Sequence, residues 1–134
     1  MERIYFTILV VLACIACTPV TPTVVQGVSS PEERATHIYT QIYMNDSIEY
    51  LAYVAYEDIL SGTPVTLDTL FRLPTHEEAQ LFRTLTYGEE GVRYLTDDGY
   101  TFGMPSKSVT RAGTKTKYSV LAVHRRRHHH IINW

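Results

Sequence analysis

A small α+β domain is the fold class that the sequence predicts, on three observations. Two alternating, tyrosine-rich runs flank a turn signal at Asn45-Asp46. A helix-start signature stands at Phe71 to Phe82, "FRLPTHEEAQLF". Near Tyr118, "YSVLAV" is apolar on both of the faces that strand alternation defines. One helix among many short strands implies α+β, and 134 residues suit a single domain. The formal net charge of -2 gives nothing that draws the chain to nucleic acid, so no nucleic-acid partner is expected.

The elements follow in chain order. "MERIYFTILVVLACIAC" places Arg3 ahead of an apolar run from Ile4 to Ala16. That run is shorter than the roughly 20 residues a membrane-spanning helix needs. It has the length of a signal-peptide apolar region, with a buried N-terminal helix as the alternative. Cys14 and Cys17 both lie at its end, and "VLAC" and "CIAC" each resemble the bacterial lipobox. Cys17 is preferred as the acylated residue, with Cys14 as the alternative. "TPVTPTVVQGVSS" follows Cys17 and reads as an extended tether. Cleavage there removes Cys14 and leaves no thiol for a disulfide or for thiol chemistry. The expected organisation is a signal segment at 1–17, a tether at 18–30 and a folded domain at 31–134. An acyl anchor would hold that domain at the cell envelope, at the outer membrane or cell surface. An ordinary cleaved secretory signal is the competing reading.

Ser30, Pro31 and Glu33 could start a short helix. "THIYTQIYM" then alternates, with Ile38, Ile42 and Met44 expected on one face. "SIEYLAYVAY" puts Ile48, Tyr50, Ala52, Val54 and Tyr56 together, so the two runs read as a hairpin. Ser61-Gly62 and Pro64 break the pattern. Pro74 biases Leu73 to extended backbone, and Thr75 with Glu78 three residues on forms a capping-box pair. Glu77 and Glu78 suit the positive end of the helix dipole. The predicted helix runs from about His76 to about Thr86, with Leu81, Phe82 and Leu85 against the sheet and Gly88 as its stop. Asp97-Asp98-Gly99 marks a second hairpin inside "GVRYLTDDGYTFGM", and "PSKSVTRAGTKTK" reads as a polar loop. Tyr118, Val120 and Ala122 on one face and Leu121 and Val123 on the other assign "YSVLAV" to the middle of the sheet.

"FRLPTHEEAQLF" resembles the "RLPT-x-x-E-W" signature of the formylglycine-generating-enzyme/sulfatase-modifying superfamily and its related bacterial surface domains. "YSVLAVHR" at Tyr118 to Arg125 is similar to their closing strand, and "DDGYTFGMPS" to their Gly-rich hairpin. The resemblance covers about Phe71 to Arg125. It implies a C-type-lectin-like fold and a scaffold role for Arg72, Leu73, Pro74, Thr75 and Glu78. The chain departs from the pattern where Ala79 replaces the usual tryptophan and Ala122 the usual cysteine. The oxidation carried out by the enzyme family therefore does not carry over, and neither do the calcium-dependent sugar signatures of C-type lectins.

Candidate sites are few. Tyr39, Tyr43, Tyr53 and Tyr94 could stack on a glycan or peptide from the outer sheet face, or simply cover the sheet. His124 and His128, in "HRRRHHHIINW", are the weak metal candidates, against a solvated basic tail whose Ile131, Ile132 and Trp134 fold back. That tail could also hold anionic glycans or lipid head groups. Asp97 and Asp98 read as turn formers, and His76 as a first-turn helix residue. The expected function is a non-enzymatic exported lipoprotein without cofactor or metal, binding an unknown protein or glycan at the envelope. An accessory subunit of a surface complex is the alternative, and a degenerate sulfatase-modifying-type enzyme a distant one.

Overall fold

A computed structural model of the chain describes residues 23–27 and 37–127. Cys14, Cys17, the possible helix start at Ser30 and the histidines from His128 on lie outside the described residues.

Eight strands and one helix make up the described part. They are β1 (Val24–Gly27), β2 (Thr40–Met44), β3 (Ile48–Leu60), β4 (Val65–Asp68), α1 (His76–Phe82), β5 (Tyr94–Leu95), β6 (Tyr100–Phe102), β7 (Thr110–Arg111) and β8 (Lys117–Arg127). A six-stranded sheet has the order β2-β3-β8-β5-β6-β7, and β1 pairs with β4 in a separate parallel pair. The expectation of a helix-packed α+β domain is corrected, and with it the C-type-lectin-like architecture implied by the resemblance. Strands account for 47% of the described residues and helix for 7%, in one short helix.

The physical reason lies in β3 and β8. Their antiparallel ladder runs from Ile48↔Arg127 to Leu60↔Lys117, and it carries apolar side chains on both faces. On one face Tyr50, Ala52, Leu121 and Val123 pack with Ile42, Ala79, Phe82, Tyr94, Phe102 and Met104. On the other, Tyr53, Val120 and Ala122 pack with Val65 and Leu67 of β4 and with Leu73, Leu95 and Tyr118. Two cores share one ladder, so β8 sits mid-sheet, as its two-faced pattern predicts. Within the stretch read as a tether, Val24–Gly27 docks as β1 beside Val65–Asp68.

Local chemistry sets each boundary. The Asn45 side chain accepts from the amides of Ser47 and Ile48 at 2.8 and 2.7 Å, closing the β2–β3 turn. Thr75 caps α1 through its side chain, and Glu78 reaches back to the Thr75 amide. The helix then stops at Arg83, well short of Gly88. Beyond Phe82 the bonds tighten: the amides of Thr84 and Leu85 donate to Leu81 and Phe82, and the Thr84 hydroxyl also takes the Leu81 carbonyl. Asp97, Asp98 and Gly99, with Gly99 at φ +82°, turn β5 into β6.

Two expectations of side-chain facing fail at bulges. β2 shifts register between Gln41 and Tyr43, which buries Ile42 and leaves Ile38 and Met44 exposed. β3 shifts twice, between Val54 and Tyr56 and between Tyr56 and Ile59. Ile48, Tyr50 and Ala52 keep one face, whereas Tyr56 packs on the other core.

Candidate functional site

Arg72, Leu73, Pro74, Thr75 and Glu78 form the joint between the sheet and α1. The Arg72 amide and carbonyl bridge Val123 of β8 at 2.9 and 2.8 Å. Its guanidinium makes a two-pronged pair with Glu78, Nη1 to Oε1 at 2.5 Å and Nη2 to Oε2 at 2.8 Å. Burial works against the Glu78 carboxylate. Hydrogen bonds from Arg72, the Thr75 amide and the Tyr50 hydroxyl outweigh it and hold the pKa at about 2. The same burial and the bond to Glu78 push Tyr50 up to about 12. Leu73 and Pro74 are buried, and the Pro74 carbonyl accepts from the Asp97 amide at 2.9 Å. The joint is structural: no buried side-chain polar atom in it lacks a hydrogen-bond partner.

The four tyrosines do not form one surface. Tyr39 and Tyr53 meet with ring centroids 5.1 Å apart, beside Phe71; Tyr53 stacks on His37, and Tyr39 meets it edge-on. Asp68 gathers this cluster: its carboxylate accepts from Tyr39 and pairs with His37 at 3.0 Å, while its amide donates to the Tyr53 hydroxyl at 2.9 Å. Tyr53 is buried and Tyr39 half exposed. Tyr43 packs edge-on to Tyr50, and Tyr94 is buried against Phe102. His124 lies beside the Leu70 carbonyl, 3.1 Å from Nδ1, and beside Phe71. Among the described residues no group of three or more histidines, cysteines or carboxylates could hold a metal ion. His76 and Asp98 pair at 2.9 Å across the α1 and β5–β6 turns.

The groove that the structure does present was not legible in the sequence. It consists of two adjoining depressions of about 320 and about 360 Å³ that share Val54, Glu57 and Tyr87. Ala52, Val54 and Leu121 supply its apolar floor at one end, where Ile38 and Thr40 form the rim. Val92, Tyr94 and Ser119 line the other end, under the Tyr87–Gly88–Glu89 turn. β2 pairs with β3 only as far as Ala52, so the edge of β3 beyond that residue borders this space. Ile38, Val54 and Tyr87 are exposed apolar side chains there.

Among the described residues the charges of the groove are all of one sign: Glu57, Asp58 and Glu89 line it, and no described lysine or arginine does. In a regular strand Glu57 and Asp58 would point to opposite faces. Asp58, at φ +54° within the β3 irregularity, breaks that alternation, and both carboxylates line the same depression. Gly88 lets the turn close down: a Cβ there would stand 3.1 Å from the Tyr94 hydroxyl and 3.2 Å from the Met104 carbonyl. Of the sequence-stated binding tyrosines, Tyr53 and Tyr94 contribute to the lining. The arrangement offers an apolar trough ending in negative charge, suited to holding a ligand rather than to bond-making chemistry. Comparison of the chain with family models, with curated proteins and with solved structures finds no match.

Proposed function

We propose that the chain is an exported lipoprotein, acylated at Cys17, whose folded part is a non-enzymatic binding domain at the cell envelope. The observation that carries the binding role is the groove, with an apolar floor at Val54 and Leu121 and, among the described residues, charge only from Glu57, Asp58 and Glu89. Such a lining favours a protein segment with an apolar side chain beside a lysine or arginine. The envelope setting is supported by the apolar run ending in "CIAC". The likeness of residues 71–125 to sulfatase-modifying surface domains also favours it, with Arg72 and Glu78 as scaffold.

Two measurements test the reading. The intact mass of the product isolated from membranes should match a start at residue 17 carrying three acyl chains; a soluble, unacylated product overturns the anchor. Short peptides alternating valine with lysine should bind saturably, and Glu57→Gln with Glu89→Gln should weaken them at least tenfold. Equal binding by the double variant overturns the groove as the binding site.

A further inference from the structure

The opposite end of the β3–β8 ladder carries the opposite charge. Arg125, Arg126 and Arg127 stand across from Tyr50, Glu49 and Ile48, and with Ser47 and Ile48 they line one depression of about 450 Å³. Glu49 is committed: it accepts from Arg126 and, at 3.2 Å, from Gln41. That contact offsets one of the three guanidinium charges and leaves two. Among the described residues neither Arg125 nor Arg127 has a carboxylate within ion-pair distance. Both are exposed, and strand alternation places them on one face about 7 Å apart. Two such forks in a row suit a ligand with successive sulfate, phosphate or carboxylate groups.

The topology says which way this end faces. The Val65 amide donates to the Thr23 carbonyl at 2.8 Å, so the chain enters the fold beside the Ser61–Pro64 turn. That turn follows Leu60, at the end of the ladder remote from Ile48 and Arg127. Ten residue steps along β8, from Lys117 to Arg127, separate the two ends, roughly 33 Å. On the proposed acylation at Cys17, on which this orientation rests, the stretch to Thr23 reaches at most about 20 Å. The entry end is therefore held near the bilayer and the arginine end is directed outward.

We propose that Arg125 and Arg127 form a polyanion site that engages an acidic polysaccharide on the side away from the anchoring membrane. The test uses the processed full-length chain in nanodiscs of zwitterionic lipid, titrated with dextran sulfate and with neutral dextran. Dextran sulfate should bind saturably and lose roughly tenfold in affinity between 50 and 200 mM salt, as two released counterions require. Neutral dextran should not bind. Arg125→Gln with Arg127→Gln should cost at least tenfold, while Lys115→Gln should cost less than twofold. No saturable binding, or equal losses in both variants, overturns the site. Ser47→Trp, in the lining of the depression and made with Trp134→Phe so that it is the one tryptophan, reports the orientation. Its emission should be unchanged when brominated anionic lipid is added to the nanodisc, and quenching there assigns this end to the membrane and overturns the outward polysaccharide reading. If the product proves unacylated, the orientation falls while dextran sulfate binding still decides the site.

Discussion

The Glu78 carboxylate binds Arg72 through both oxygens and still accepts the Thr75 amide, so one side chain closes the helix cap and locks the helix to the sheet. Its side chain is 9% exposed, against 41% for Arg72. Replacing it with glutamine keeps a possible cap but leaves the guanidinium without its counter-charge. Glu78→Gln should lower unfolding stability by about 2 kcal/mol, less than a fully buried pair would cost because solvent reaches Arg72. Urea denaturation at pH 7 measures the loss.

Acid should expose the same group. The folded pKa of Glu78, about 2, lies below its ordinary value of 4.5. A depressed carboxylate contributes stability that is complete above pH 4.5 and disappears as pH falls towards 2. The urea midpoint of the wild type should fall through that window, and that of Glu78→Gln should fall less. Parallel curves would remove Glu78 as the titrating group.

Tyr50 supports Glu78 from β3. Its pKa, raised from 10 to about 12, means that its neutral form stabilises the fold fully below pH 10 and ceases to do so as pH rises through 12. Tyr50→Phe should cost about 1.5–3 kcal/mol at neutral pH, the range for a hydrogen bond to a charged acceptor. It should also move the acid transition to higher pH, because Glu78 loses a donor.

Leu70 adopts φ +78° and is 71% exposed, so it bears backbone strain with little packing in return. Leu70→Gly should stabilise the protein by about 0.5–1 kcal/mol, read as a rise in the thermal midpoint. A fall would mean that the Leu70 side chain packs better than its exposure indicates.

Gly88 faces the reverse situation: an added Cβ would stand 3.1 to 3.2 Å from Tyr94 and Met104, which must give by a few tenths of an ångström to admit it. Gly88→Ala should destabilise by about 1–2 kcal/mol and lift the Tyr87–Glu89 turn. Peptide affinity for the groove should fall further than in Leu70→Gly, which lies outside its lining. Unchanged affinity in Gly88→Ala would detach that turn from binding.

What could be read in the sequence was chemistry acting over three or four residues. Thr75 with Glu78, Asn45 at the first turn and Asp97 to Gly99 at the second each satisfy backbone groups nearby, so spacing reveals them. The two-faced pattern at Tyr118 to Val123 gave β8 its central place. Longer-range effects were hidden. Val24–Gly27 pairs with a strand some 40 positions on, and nothing in a Thr/Pro-rich stretch announces that partner. The helix length was overestimated because Leu81 and Leu85 fit a helical face, while Thr84 prefers to bond the preceding turn. The groove escaped notice because a bulge at Asp58 and a turn at Gly88 build it, and alternation rules assume neither.

The central position of β8 bears on how the chain is made. Every other described strand is translated before Lys117, yet both cores need side chains from Tyr118 to Val123 to close. A ribosome-bound polypeptide lacking those residues has no finished interior. The order of synthesis thus postpones closure of both interiors until the last described strand arrives.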